Sequence, residues 1–526
     1  MNEINKSIGK YRWTICSLLF FATTINYLDR QVLSLTWKDF IVPEFHWQNN
    51  DYGNITAIFS IVYAVSMLFA GRFVDILDTK KGFLWAIFIW SVGACLHAYC
   101  GIATSGIVTG KWLVGFNGAI DALSTVSDIS LVASTSVTVF IIARIVLAIG
   151  EAGNFPAAIK TTAEYFPKKD RGLATSVFNA GATVGALTAP LTIPFIAKAF
   201  GWEMSFIIIG FLGFVWMGFW IFVYKKPEVH PKISKQELAY IQQDDVAIDT
   251  SSIKPVQKIT LAKAFKYKQT WAFALGKFMT DGVWWFFLFW TPAYLSSVYG
   301  LNTTQSAPQI FTLYLITLLS IIGGWLPTYF VEKKGMNPYS GRMKAMLIFA
   351  FFPLLALLAQ PLGYYSVWIP VIIIGIAGAA HQAWSANIFS TVGDMFPKSA
   401  IATVTGIGGM AGGIGSFLIN KGSGLLFDFT QKNWSTVNGQ PLLTKYPQLF
   451  TSVTTKPFLE QQAIIFHTKI GNIEDFLKVL AKSGNQVANG INSGYMIIFT
   501  ICSVAYLIGW IIMKALVPKY RPITDL

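Results

Sequence analysis

Runs of predominantly apolar residues alternate with short polar segments along nearly the whole chain. Each run is close to or longer than the about 20 residues that carry a helix across a bilayer. Twelve such runs lie at roughly 11–35, 52–74, 82–103, 137–159, 173–198, 203–224, 269–296, 309–331, 343–361, 365–390, 400–427 and 493–516. The pattern predicts an all-α integral membrane protein with twelve transmembrane helices. Residues 225–268, with Pro227, Pro231 and Pro255 among many basic side chains, read as a cytoplasmic linker holding a short helix near Lys235–Asp245. Residues 428–492 read as an outer insert, amphipathic around Ile473–Leu480, with charges of the ordinary solvated kind and no part in the chemistry. A third stretch, 104–136, reads as an external helical hairpin, with a pair of extra half-spans as the alternative.

The two halves repeat each other. Glu164-Tyr165-Phe166-Pro167-Lys168 matches Asp394-Met395-Phe396-Pro397-Lys398, and each precedes a span rich in Gly and Ala. Gly181 and Gly185 in the first of these spans, and Gly408, Gly409, Gly412, Gly413 and Gly415 in the second, allow neighbouring helix backbones to approach closely. Gly71 with Lys80 and Lys81 likewise corresponds to Gly324 with Lys333 and Lys334. Duplication of this kind implies two pseudo-symmetric six-helix bundles related by an axis along the membrane normal, with the site between them. The expected organisation is 1–224, the N-terminal bundle with its 104–136 insert; 225–268, the linker; and 269–526, the C-terminal bundle with its 428–492 insert.

Composition sharpens the class: 54% of residues are hydrophobic and 13% charged, unlike a soluble domain. The net charge of +14 does not call for nucleic acid, because Lys and Arg gather in alternate short segments. That is a topology signal placing both termini in the cytoplasm of a cell whose inner membrane holds the protein. Cys16, Cys95, Cys100 and Cys502 all sit in apolar runs and form no disulfide framework. Tyr11–Leu35 is too long for the apolar core of a signal peptide and reads as a retained first span. The sequence holds no phosphate-binding Gly-Lys-Ser loop, metal-ligand cluster or nucleophile elbow. An enzyme, an ATP-driven pump and any cofactor or metal are therefore not expected.

Ionisable groups inside a hydrocarbon slab are costly and default to function. The set is Asp29, Arg30, Arg144, Glu151, Lys277 and Asp281, with His381 besides. Fully ionised, the six sum to zero. One added anion upsets that balance and an accompanying proton restores it, which favours anion–proton symport. Arg30 and Arg144 offer bidentate forks for a carboxylate, or else tie helices together through Asp29 or Glu151. Arg144 and Glu151, seven apart, share a face but lie about 10 Å apart along the axis, so each needs a partner on another span. Asp29 and Glu151 are the proton candidates, with Asp281 behind them. Lys277 and Asp281, at i and i+4, can also be an internal ion pair. Trp284, Trp285 and Trp384 offer an aromatic wall to a sugar ring, or are simply the aromatics of apolar helices. Tyr27, Tyr63, Asn154, Asn179, Gln382 and Asn387 could read hydroxyls or bond across helices. His381 is a packing residue or a proton relay, and Lys421 is expected to snorkel.

Gly71-Arg72-Phe73-Val74-Asp75-Ile76-Leu77-Asp78-Thr79-Lys80-Lys81 resembles the major facilitator loop between the second and third spans, whose Gly, acid and basic pair (Gly71, Asp75, Lys80, Lys81) are gating residues. The second copy departs, with Thr328 at the acidic place. Within that superfamily the chain resembles the anion:cation symporters, and among them bacterial hexuronate transporters. The residues that carry this are Asn26-Tyr27-Leu28-Asp29-Arg30, Gly150-Glu151-Ala152-Gly153-Asn154-Phe155-Pro156, Lys277–Phe286 and His381–Asn387. The likeness runs over all twelve spans. It departs at Gly282 and at both outer inserts, which are expected to be short in relatives. It implies uptake of an organic anion, commonly a sugar acid, with protons or sodium; the charge balance favours protons, and a monomer in the lipid bilayer is expected. The alternatives are another organic anion (aldonate, tartrate or other carboxylate) and a nutrient sensor on a carrier scaffold.

Overall fold

The computed structural model describes residues 9–243, 260–450, 454–468 and 470–523. Twelve long helices fill it: α1 (Tyr11–Thr36), α2 (Asn49–Leu77), α3 (Thr79–Ala98), α4 (Ile129–Tyr165), α5 (Lys168–Phe200), α6 (Trp202–Val223), α7 (Lys268–Tyr299), α8 (Ala307–Lys334), α9 (Pro338–Gly363), α10 (Trp368–Met395), α11 (Lys398–Trp434) and α12 (Ile491–Leu516). Nine are long and apolar enough to cross a membrane on composition alone. The other three are α1 and α7, which carry ionisable residues, and the glycine-rich α11.

Packing repeats between the halves. α1 lies on α5 as α7 lies on α11, α3 on α6 as α9 on α12, and α2 crosses from one bundle to pack on α11 of the other. The glycines explain the closest of these approaches. A Cβ on Gly181 or Gly185 would meet the Phe20 or Thr24 carbonyl of α1 at 2.3 or 2.5 Å. On Gly415 it would meet the Phe278 carbonyl of α7 at 2.1 Å. The repeated acidic residues also do matching work: Glu164 accepts from Thr79 at the start of α3, and Asp394 from Arg342 near the start of α9.

Helix ends differ from expectation. α4 begins eight residues before the expected 137 and turns at Ala152-Gly153, directly after Glu151. α11, at 37 residues, is about 55 Å long and overruns the about 30 Å of hydrocarbon. The 104–136 stretch does hold short helices, since Cys100–Thr109 continues the line of α3 and Phe116–Ser124 follows it. The linker helix spans Lys235–Ile241; Asp245 and Pro255 lie outside the described residues. Glu237 on that helix caps the start of α1, accepting from the Arg12 amide at 3.1 Å and its guanidinium at 3.3 Å, as a carboxylate at a helix N-terminus should.

The bundle-to-bundle hydrogen bonds among the described residues gather at the end that carries the 428–492 insert. Asp428 of α11 accepts from the Asn49 and Asn50 amides of α2 at 3.0 and 2.7 Å. Lys421 does not snorkel: its Nζ lies 2.8 Å from the Asn50 and 2.5 Å from the Asn54 side-chain oxygen, a clamp across the bundles. The Tyr52 hydroxyl donates to the Phe289 carbonyl at 2.8 Å, and its ring stacks on Trp37. The insert's charges are not all solvated, because Glu474 is buried against both bundles. At the linker end the described hydrogen bonds instead tie linker to first bundle, through Arg12–Glu237 and Tyr240–Asp170. Among the described residues, side-chain hydrogen bonds join the two bundles at the insert end and not at the linker end.

Two substitutions on α11 test this packing. Gly415→Ala drives a methyl into the Phe278 carbonyl and should cost about 1–3 kcal/mol. Nothing lies within 4 Å of a Cβ on Gly409, so Gly409→Ala should be neutral or gain up to about 1 kcal/mol from helix propensity. Melting in detergent reads both, and equal effects would show that α7 and α11 can separate without strain.

Candidate functional site

α1 carries Asn26, Tyr27, Asp29 and Arg30, and α4 carries Arg144 and Glu151 about two turns apart. Arg30 and Glu151 meet: Nε and Nη2 both reach one oxygen, Oε2, at 2.9 and 2.6 Å. Nη2 also lies 3.5 Å from the Asn26 side-chain oxygen. The guanidinium sits in an aromatic cage, with ring centroids at 5.1 Å for Tyr27, 4.8 Å for Tyr63, 5.8 Å for Phe59 and 5.0 Å for Trp285. Cation–π contacts of this kind replace part of the hydration a buried cation loses. Trp285 comes from α7, so the cage closes across the two bundles.

Arg144 differs. It is fully buried over the Phe59 ring, 5.1 Å from its centroid, and none of its three guanidinium nitrogens has a hydrogen-bond partner among the described residues. Both carboxylate oxygens of Asp29 and the second oxygen of Glu151 are likewise buried without partners, as are both amide atoms of Asn154. Asp29, Arg144 and Glu151 lie within electrostatic reach of one another. The cluster is neutral as a whole (two acids, two guanidiniums) but its hydrogen bonding is incomplete. Buried donors left without a partner among the described residues are groups able to take up an anion.

On the second bundle, Lys277 and Asp281 form the expected internal ion pair, 2.7 Å apart, with Lys277 also 4.2 Å from the Phe389 centroid. This half therefore balances its own charge. His381 stacks on Trp284 (5.3 Å, 4°) and its Nδ1 lies 2.7 Å from the Tyr506 hydroxyl. Asn387 turns its amide to the Gly323 and Ala383 carbonyls, both at 2.8 Å, bracing α8 on α10. Trp384 is fully buried with its ring edge-on to Tyr506. Gln382 is half-buried, and Asn179 is exposed on α5. The structure thus gathers Asp29, Arg30, Arg144, Glu151, Tyr27, Tyr63 and Trp285, and sets Asn387 and Trp384 into the packing of the second bundle.

The loop after α2 is not assembled across the bundles. Lys80 donates to the Ile221 carbonyl of α6 at 2.8 Å, Lys81 is exposed, and a Cβ on Gly71 would meet nothing within 4 Å. The Asp75 side chain lies outside the described set. Sequence reasoning passed over Phe59, which floors both guanidiniums, and His97, fully buried on α3 with Nε2 unpartnered. His97 was findable as one more ionisable group inside a predicted span. Phe59 was not, because a phenylalanine in an apolar helix carries no signal.

A family model described as Major Facilitator Superfamily matches residues 19–419. The hexuronate transporter of Escherichia coli (strain K12) is 27% identical over 434 residues, covering 80% of this chain and 89% of that one. A galacturonate transporter of Dickeya chrysanthemi is 26% identical over 331 residues, covering 62% of this chain and 84% of its own length. Among solved structures, a bacterial homologue of the human lysosomal transporter Spinster has a TM-score of 0.67 at 17% identity, over 98% of this chain and 100% of its own. At that identity the likeness speaks for the fold alone.

The Lys277–Asp281 pair is testable by itself. Asp281→Asn strands a buried ammonium and should destabilise by about 3 kcal/mol or more, whereas an apolar double replacement, Lys277→Met with Asp281→Leu, should recover most of the loss. A melt in which the single variant matches wild type would mean that water reaches the pair.

Proposed function

The chain belongs to the Major Facilitator Superfamily, and from that premise we propose that this multi-pass membrane transporter takes up a hexuronate or related sugar acid with protons. The observation that carries the reading is Arg144: a fully buried guanidinium with no donor partnered among the described residues, beside a second guanidinium held by only one carboxylate oxygen. A sugar carboxylate fits a guanidinium fork. The flat faces of Trp285, Tyr27 and Tyr63 suit the apolar face of a pyranose, and His381, Gln382 and Asn179 are proposed to read its hydroxyls. The similarity to a hexuronate transporter and a galacturonate transporter supports the same ligand class.

Protons enter through charge balance. With the cluster neutral, an arriving anion leaves it one charge negative, and protonation of Glu151 or Asp29 restores zero. A substrate carboxylate that draws Arg30 from Glu151 also removes the charge that keeps Glu151 ionised, so binding and protonation favour each other. The two bundles then rock about the site, with Gly71, Asp75, Lys80 and Lys81 proposed to meet the other bundle when the linker end closes. In this reading the linker end and both termini face the cytoplasm, the membrane is the inner one and the unit is a monomer.

Flux of labelled sugar acid into proteoliposomes tests the function. Binding in a thermal-shift screen without flux would make the protein a sensor, and a preference for aldonates or tartrate over hexuronates would move the substrate class. Arg30→Lys keeps the charge but loses the fork and the flat stacking surface. Affinity for the sugar acid should fall tenfold or more, about 1.4 kcal/mol, and an unchanged affinity would leave Arg30 a purely structural tie. Glu151→Gln imitates a permanently protonated carboxyl. Exchange of labelled for unlabelled substrate should survive while uptake driven by a pH gradient vanishes. Retained uphill uptake would move the proton site to Asp29 or Asp281, and parallel loss of both activities would reduce Glu151 to a brace for Arg30.

A further inference from the structure

The two outer inserts meet across the mouth at the insert end. The 428–492 insert is a small folded body. Val437, Leu442, Leu449, Phe476, Leu477 and Leu480 form its own core. Three short strands, β1 (Thr436–Val437), β2 (Gln440–Pro441) and β3 (Val487–Ala488), pair antiparallel in the order β2-β1-β3 and close its neck. The neck is rooted on the second bundle, since the Gly490 amide before α12 donates to Ser435 at the end of α11 at 2.9 Å. Any rocking of the second bundle therefore carries the insert with it.

From that root the insert reaches the first bundle at two points. Glu474, 5% exposed, accepts from Lys38, just beyond α1, at 2.7 Å. The same carboxylate accepts from Ser297 of α7, 3.1 Å from each oxygen. One buried carboxylate thus joins both bundles. Some distance away along the insert, the Lys456 ammonium lies 2.5 Å from the Ser124 and 3.1 Å from the Val126 carbonyl, both in the 104–136 insert of the first bundle. Burial and the nearby Lys456 charge push His46 down to about 4, so no second cation arises beside Lys456 at physiological pH. Neither contact serves the cluster around Arg30 and Arg144.

We propose that the two inserts form a latch over this mouth, with Glu474 as its catch, which biases the transporter toward the state closed at the insert end. Opening that end must separate Lys38 from Glu474 and withdraw Lys456 from its two carbonyls. The latch sets how often the mouth opens, not what the site binds, and it stands whichever solute is carried.

Spin labels on Lys198→Cys and Tyr364→Cys, exposed positions on the two bundles, report the opening. The background replaces Cys16, Cys95, Cys100 and Cys502 by Ala and must melt as wild type does. Pulsed electron–electron distances with no substrate present should show mainly the closed population. Glu474→Gln and Lys38→Gln should each raise the longer-distance population about fivefold or more, and Lys456→Ala should do so to a smaller extent. Exchanging the charges, Lys38→Glu with Glu474→Lys, should return the closed distribution. That return would separate a lost catch from a merely damaged insert. Single variants with wild-type distances, or an exchange that stays open, overturn the latch.

Discussion

Charge is costly at the depth of this protein's centre, and two ion pairs there carry most of what holds the site together. Arg30 lies on Glu151, and Lys277 lies on Asp281 one turn away on the same helix. Each pair is internal to one bundle. Strong ionic contacts at the level of the site therefore brace the bundles without fastening them together. What touches between bundles at that depth is softer: the Trp285 ring against Phe59, Tyr63 and the Arg30 guanidinium. Aromatic surfaces slide and re-pack at small cost, whereas a buried cross-bundle ion pair would have to be broken in every cycle.

Helix packing is close both within the halves and between them. Within each half, small residues bring backbones into contact, and Gly181, Gly185 and Gly415 lie directly under carbonyls of α1 and α7. Such contacts cannot shift by even one methyl group, so each bundle behaves as a rigid body. Between the halves, glycines also bring α2 and α11 together, since a Cβ on Gly53 would meet the Asn420 carbonyl at 2.9 Å and one on Gly424 the Asn49 carbonyl at 2.7 Å; to this are added side-chain contacts, Asp428 on the first amides of α2 and Lys421 on two asparagines. The latter can be given up without unwinding a helix. The break in α4 directly after Glu151 places the one irregular turn of that helix beside the carboxylate that changes its charge state in the proposed cycle.

How much of this was written in the sequence depends on the range of the signal. The twelve spans were legible because hydrophobic length is a local property, and the pairing of Lys277 with Asp281 because four residues make one helical turn. That Glu151 needs a partner on another helix followed from the 1.5 Å rise per residue; that the partner is Arg30, 121 residues away, did not. Lys421 was misread for the same reason, since nothing near it in the chain announces two asparagines more than 360 residues distant. Glu474 looked like one charge among many on an amphipathic segment. Its burial comes from Lys38 and Ser297, on two other elements. The extra length of α4 and α11 was missed because their ends leave the hydrocarbon, where apolar composition stops marking the helix.

Alternating access adds a last requirement. A carrier works only if its two end states differ by no more than a few kcal/mol, because a larger gap leaves one state too rare to visit. The closed end here is held by several hydrogen bonds and one ion pair, each worth about 0.5–1.5 kcal/mol net when it exchanges with water. Their sum is comparable to the allowable gap, so opening that end needs compensation elsewhere. The linker end can supply it only by making contacts that the present state lacks. The polar and basic side chains it leaves exposed, Arg72 and Lys81 among them, are of the kind that can. Closed-end contacts that are individually weak and numerous therefore suit a transporter better than one strong bond: they can be balanced, and they break in sequence rather than all at once.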